Sequence, residues 1–196
     1  MYQAIFMVRL PKFGGLDFAK RVDNSAFEML VLKEGVLLHS GEKVWPHTDY
    51  KIVIGDMVNI QIEEKMNLIG ADATGVGDAV LELFPRTMQH VIRPIKFTQQ
   101  RKLDMIDVVQ ALFNNDLLKL HPKYSEILSD EILEQERIKS DAGNLLYRHP
   151  PGFHDDRFWA LACACEVAAP YVYGRPTPTI AVAERERGNN FDLKEF

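Results

Sequence analysis

Residues 67–78 read Asn-Leu-Ile-Gly-Ala-Asp-Ala-Thr-Gly-Val-Gly-Asp, a short apolar run that ends in the carboxylate of Asp72 and is followed by a glycine-rich turn. The apolar run predicts a buried strand, and the residues from Asp78 to Phe84 predict a helix that Pro85 stops. A strand followed directly by a helix is typical of an α/β protein.

The sequence on either side extends this pattern. Upstream, the predicted elements are a three-stranded antiparallel meander (residues 13–19, 25–33 and 36–39) and a helix (about 50–65). Downstream, they are a strand (91–97), a helix (99–115), a short strand (117–120), a helix (124–140) and a buried helix that runs from His154 to Ala169 and ends at Pro170. We therefore predict an α/β fold with a central mixed sheet of about five or more strands, the first three antiparallel, flanked by helices.

Composition is that of an ordinary globular protein. Of the 196 residues, 46% are hydrophobic and 26% are charged, and the formal net charge is -5, which excludes a generally cationic nucleic-acid coat. We expect one domain over residues 1–175 and a flexible or partner-docking tail over 176–196. No apolar run approaches the roughly 20 residues needed to cross a bilayer, so we expect no membrane contact and an intracellular location. Cys163 and Cys165 are expected to be buried thiols.

Aspartates stand at three positions where an α/β sheet offers a crevice. Asp17, followed by Asp23, lies near the carboxyl end of the first predicted strand, Asp72 lies at the end of a later one, and the pair Asp155-Asp156 lies at the start of the last helix. Each has a simpler explanation, since Asp17 suits a turn and the others suit helix caps. As a set, however, carboxylates gathered about 4 Å apart repel one another unless a cation lies between them.

Hard cations suit such a set of ligands. Mg²⁺ and Mn²⁺ prefer oxygen ligands, and two such ions can activate a water and stabilise the departing oxygen in phosphodiester cleavage. Histidine and cysteine are too sparse for a zinc site. His154, beside the acidic pair, is a candidate to orient a ligand or the attacking water, with a half-exposed loop residue as the alternative.

Three segments in order resemble the nuclease domain of viral large terminase subunits. They are residues 15–26 (Gly-Leu-Asp-Phe-Ala-Lys-Arg-Val-Asp-Asn-Ser-Ala), 70–80 (Gly-Ala-Asp-Ala-Thr-Gly-Val-Gly-Asp-Ala-Val) and 151–162 (Pro-Gly-Phe-His-Asp-Asp-Arg-Phe-Trp-Ala-Leu-Ala). The resemblance implies a ribonuclease H-like fold and a two-metal endonuclease that cuts concatemeric DNA during packaging in the host cytoplasm.

The resemblance also implies roles for particular residues. Asp17, Asp72 and Asp156 would be catalytic metal ligands, with Asp155 beside them and Asp23 at a further acidic position found in some members. Because adjacent residues leave a helix roughly 100° apart, we expect only one of Asp155 and Asp156 to ligate directly, and we favour Asp156.

Cations near these motifs are candidates for contacting double-stranded DNA. Lys20, Arg21, Arg148 and Arg157 lie closest to the acidic segments, and Arg86, Arg93, Arg101 and Lys102 lie near loops that would border the site, each with an ordinary surface charge as the alternative. No Gly-x-x-x-x-Gly-Lys-Ser/Thr loop occurs, so we assign no ATPase motor to this sequence, which would be an excised domain or a free-standing nuclease. A motor, a small terminase subunit and a portal are expected partners, and the isolated domain is expected to be a monomer.

Three other functions fit parts of the sequence. A ribonuclease H-like Holliday-junction resolvase would share the acidic cluster. An ATPase of the actin and sugar-kinase type would share the Gly-x-Asp turns, although the chain is short for two duplicated domains. A non-catalytic docking module would keep the carboxylates only as caps.

Overall fold

A six-stranded sheet forms the centre of the molecule. The computed structural model describes residues 9–18, 24–139, 145–148 and 154–174. The strands of this region are β1 (Lys12–Asp17), β2 (Asn24–Lys33), β3 (Val36–Pro46), β4 (Leu68–Asp72), β5 (Ile92–Ile95), β6 (Leu118–Lys119), β7 (Glu136–Lys139) and β8 (Leu145–Arg148). Its helices are α1 (Tyr50–Glu64), α2 (Val76–Leu81), α3 (Arg86–Gln89), α4 (Gln99–Asn114), α5 (Ser125–Leu133) and α6 (Asp156–Val172).

The sheet has the order β5-β4-β1-β2-β3-β6. Strands β1, β2 and β3 pair antiparallel as a meander, whereas β4 pairs parallel to β1, β5 parallel to β4, and β6 parallel to β3. This confirms the prediction of a mixed sheet whose first three strands are antiparallel. In the β1–β4 pair, Leu16 lies opposite Ala71, so Asp17 and Asp72 leave the sheet at the same edge.

Helix α6 lies directly against the neighbouring strands β1 and β4. An added Cβ on Gly15 would clash with the backbone of Ala160 and Ala164, and one on Gly70 would clash with the carbonyl oxygen of Cys163. Glycine at these two positions therefore permits the close approach of the helix. The two cysteines of α6 are buried free thiols, as expected.

Hydrophobic cores occupy both faces of the sheet because strand side chains alternate between them. Phe13 of β1 belongs to the core formed with α4, α5 and α6, and Leu16 belongs to the core formed with α1. Gly15 and Asp17 share the face of Phe13, and Asp72 shares the face of Gly70. Both carboxylates thus lie on the α6 face of the sheet.

Two predicted helix ends are wrong. The helix predicted to reach residue 140 ends at Leu133, and β7 follows it and pairs antiparallel with β8. Glutamate, glutamine, arginine and lysine favour a helix locally, but pairing with a distant strand overrides that preference. Pro170 lies inside α6 rather than ending it, because a proline in the last turn removes only one backbone donor. Among the residues described, every helix is too short or too polar to span a bilayer.

Candidate metal centre

Asp72 lies in a turn at the end of β4. The residue is 9% exposed, and its Oδ1 accepts a hydrogen bond of 2.8 Å from the backbone N–H of Thr74. The hydroxyl of Thr74 in turn accepts the N–H of Phe97 at 2.8 Å. Because Gly75 holds the cap position of the helix that follows, α2, and no side chain makes a capping bond there, Asp72 does not act as the helix cap considered from the sequence. Its bonds hold the turn instead.

The two aspartates at the start of α6 have different surroundings. Asp155 Oδ2 accepts hydrogen bonds from the indole N–H of Trp159 at 2.7 Å and from Nε2 of Gln135 at 3.4 Å. Asp156 Oδ2 accepts one from Nδ2 of Asn24 at 3.4 Å, and its side chain is 14% exposed. Asp155 occupies the position before the helix but makes no capping bond with its side chain. The contacts of Asp155 fix the helix start, and direct ligation by Asp156 stays a prediction.

Asp17 experiences the electrostatic effect of all three other aspartates. Burial of its carboxyl group raises its pKa well above the usual value, and the charges of Asp72, Asp156 and Asp155, in decreasing order, raise it further. The charge of Lys102 acts in the opposite direction. Three segments far apart in the sequence therefore bring carboxylates close enough to repel one another, and a bound cation would remove that cost.

The chemistry of these donors fits hard divalent cations. The four side chains provide carboxylate oxygens, which suit Mg²⁺ and Mn²⁺, and such ions keep several water ligands rather than requiring a closed protein cage. Within the described ranges, no group of three His, Cys, Asp or Glu side chains is arranged so that it could hold a metal ion by itself. A cation held by these carboxylates would need waters and substrate oxygens to complete its ligand shell.

Among the described residues, Lys102 carries a positive charge that acts on Asp17. It lies in the first turn of α4, and its Nζ stands 4.2 Å from the ring centroid of Trp159 and 5.5 Å from that of Phe97. Cation–π contacts of this kind hold an ammonium group over the ring faces. Because Trp159 also donates to Asp155, the lysine, the indole and the aspartate form one connected group beside Asp17.

Arg157 takes part in an internal network. Its Nε donates to Glu42 Oε2 at 3.2 Å and its Nη1 donates to Glu131 Oε1 at 3.1 Å, and the side chain is 18% exposed. Burial raises the pKa of Glu131, while bonds from the N–H of Phe158 and from Arg157 lower it. A guanidinium held between two glutamates is poorly placed for DNA, so the predicted DNA contact of Arg157 is not favoured.

The structure describes only some of the remaining predicted site residues. His154 is 55% exposed, with its Nδ1 3.8 Å from Asp156 Oδ2, so a role in orienting a ligand stays a prediction. Lys20, Arg21 and Asp23 lie outside the described residues, as does the side chain of Arg148. The sequence analysis missed Glu131, Gln135 and Glu42, because a single polar residue within a helix or strand gives no local signal of a distant partner.

Strands β1 and β4 are parallel neighbours, and each ends in an aspartate. Helix α6, which lies across them, also begins with an aspartate. A mixed sheet of this order with these carboxylates defines a ribonuclease H-like domain. Residues 14–166 match the family described as terminase RNaseH-like domain, and the chain belongs to that family. Membership supports a nuclease role in DNA packaging. No protein with a curated description matches the sequence.

Solved structures of terminases share the fold. The large terminase nuclease from thermophilic phage G20c with bound magnesium is 22% identical, with a TM-score of 0.71 over 82% of this chain and 83% of that one. The nuclease domain of the large terminase from bacteriophage SPP1 with bound manganese is 18% identical, with a TM-score of 0.56 over 80% and 86%. The large terminase of bacteriophage HK97 is 14% identical, with a TM-score of 0.61 over 81% of this chain and 40% of that one.

Proposed function

We propose that this protein is a divalent-metal-dependent endonuclease that cuts concatemeric viral DNA during genome packaging. The observation that carries the proposal is that Asp17 and Asp72 end neighbouring parallel strands on the face covered by α6, whose first residue is Asp156, so that the charges of Asp72 and Asp156 raise the pKa of the half-buried Asp17. The magnesium and manganese bound to the G20c and SPP1 nucleases support a similar requirement here.

Asp17, Asp72 and Asp156 would hold two divalent ions, Mg²⁺ or Mn²⁺. When bound, such ions supply an activated water and neutralise charge on the departing oxygen. The protein's own part is to place the carboxylates. The strand ends fix Asp17 and Asp72, the Thr74 bond orients Asp72, and α6 presents Asp156.

Lys102 would contact the phosphate backbone of DNA at the edge of the same centre. The contact of Lys102 with Trp159 restricts the side chain, and its positive charge already acts on Asp17. Together with Lys20, Arg21 and Arg148, it would give weak binding with little sequence preference, since phosphate contacts carry no sequence information. An ATPase motor, a small terminase subunit and a portal in the host cytoplasm would then deliver the DNA. Residues 1–175 would form the nuclease domain, monomeric in isolation, and 176–196 a tail.

The test is cleavage of long linear DNA with Mn²⁺ or Mg²⁺, with EDTA as the metal-free condition. We expect Asp17→Asn and Asp72→Asn to abolish cutting while the protein remains folded by circular dichroism. Asp116→Asn is the matched control, because Asp116 is exposed at the far edge of the sheet, where it pairs with Lys119. Cutting retained by both variants, or undiminished in EDTA, would contradict the proposal, and a strong preference for four-way junctions would favour a resolvase instead.

A further inference from the structure

The first backbone N–H groups of α6 require partners from outside the helix. In most helices the residue at the cap position supplies one through its side chain. Asp155 holds that position here, but its carboxylate bonds to Trp159 and Gln135 and makes no capping bond. The side chain that would usually cap the helix is therefore bonded to other residues.

Glu131 of α5 supplies the missing acceptor. Its Oε2 accepts the backbone N–H of Phe158 at 2.9 Å, the bond that a capping side chain normally makes at the third residue of a helix. The glutamate is 27 positions away in sequence and 6% exposed, so the bond is tertiary and shielded from water. A carboxylate at a helix start also interacts favourably with the helix dipole.

The second oxygen of Glu131 fixes the same end of α6 through a side chain. Glu131 Oε1 accepts Nη1 of Arg157 at 3.1 Å, and Arg157 Nε reaches Glu42 of β3 at 3.2 Å. Two consecutive residues of α6, Arg157 and Phe158, are thus tied to one carboxylate. They directly follow Asp156, so these bonds set where its side chain leaves the helix.

We propose that Glu131 is a positioning residue for the metal centre, which caps α6 from α5 and thereby holds Asp156 in the direction needed to bind a cation. This rests on the proposed function, because Asp156 is the ligand that Glu131 would position. Outer residues that orient a ligand typically change metal affinity by about 10–100-fold when removed. We expect a change of that size for Glu131→Ala.

The experiment makes two measurements on wild-type protein and on each variant. Calorimetry gives the Mn²⁺ affinity, and amide hydrogen exchange of the metal-free protein reports how firmly the start of α6 is held. Glu131→Ala should weaken Mn²⁺ binding about 10–100-fold and speed exchange at Phe158, while Glu131→Gln, whose carbonyl oxygen still accepts that N–H, should lie in between. Two controls on α5 separate other causes. Leu128→Ala removes a fully buried side chain and controls for lost stability, and Asp130→Ala removes an exposed carboxylate and controls for lost charge.

Each outcome is decisive. The proposal is supported if Glu131→Ala weakens Mn²⁺ binding at least tenfold more than either control does. It is overturned if wild-type protein binds Mn²⁺ and the loss of affinity in Glu131→Ala exceeds that of either control by less than tenfold, which would leave the nuclease proposal intact. Wild-type protein that binds no Mn²⁺ and cuts no DNA would overturn both proposals.

Discussion

Replacing Gly15 by alanine tests how closely α6 lies against the sheet. The substitution adds one methyl group to the centre of β1, on the face that α6 covers. That Cβ would lie well inside 3.0 Å of the Ala160 carbonyl oxygen and the Ala164 nitrogen. Both are backbone atoms within a helix, so no side-chain rotation relieves the clash.

The expected cost follows from this geometry. The helix backbone would have to withdraw by more than about 1 Å for the new methyl group to reach even 3.0 Å from that oxygen. Forcing extra volume into a packed core costs about 1–3 kcal/mol, and the upper end applies because the obstacle is backbone. For a chain of this length, a loss of about 3 kcal/mol lowers the melting temperature by about 6–12 °C. A shift of about 1 Å at Asp156 would also reduce cleavage about 100-fold.

Thermal melting and cleavage assays of Gly15→Ala, with Gly55→Ala as its control, measure both effects. Gly55 lies on the exposed face of α1 with nothing within 4 Å of an added Cβ. The same substitution there should raise stability by about 0.5–1 kcal/mol, because alanine favours a helix over glycine. A Gly15→Ala protein that melts within about 2 °C of wild type, less than the roughly 2–4 °C expected for 1 kcal/mol, would refute the close packing of α6 on β1.

The raised pKa values of Asp17 and of the two cysteines in α6 lead to two further predictions. In metal-free protein, Asp17→Asn should raise the melting temperature at pH 7. The raised pKa of Asp17 means that the folded state holds this proton more tightly than the unfolded state, so its stability falls as pH rises from about 4. The increase in melting temperature should therefore become smaller towards pH 4. An increase that does not depend on pH would contradict the raised pKa of Asp17. Cys163 and Cys165 should resist thiol reagents in the native protein and react in denaturant, since burial raises both pKa values; rapid native labelling would contradict their burial.

The aspartates at the strand ends could be predicted from the sequence because their signals are local. An apolar run ending in a carboxylate before a turn marks Asp72 within six residues. Asp17 lies inside the strand predicted over residues 13–19, and the structure ends β1 at Asp17. The principle that strand ends meet at one edge of a sheet then places them together. The meander and the buried final helix were predictable for similar reasons, since each is marked by composition over a short window.

The parts that depend on distant partners could not be predicted in this way. Strand β7 exists because it pairs with β8, while its own residues suit the helix that was predicted. Glu131 receives its role from Phe158, whose N–H lies on another helix. A single sequence contains no signal that joins such positions.

Spacing explains why the carboxylates of the sheet and of α6 meet. Contacts and charges pair β1 with α6 at three levels: Phe13 with Tyr171, Gly15 with Ala160, and Asp17 with Asp156. As the strand advances, its partners move back along the helix, so the two elements run in opposite directions.

Between Gly15 and Asp17 the advance along the strand is close to the advance along the helix from Ala160 to Asp156. From the contact at Gly15, Asp17 lies two residues along the strand, or roughly 6.6 Å. From Ala160, Asp156 lies four residues back along the helix, or roughly 6 Å. Because four residues are close to one helical turn, Asp156 also returns to the helix face that touches the sheet. The Gly-x-Asp arrangement of β1 therefore does two things at once, since the glycine allows the helix to approach and the aspartate meets the carboxylate that the helix brings. The same arrangement recurs in β4 at Gly70 and Asp72, which puts a second carboxylate on the face of the sheet that α6 covers.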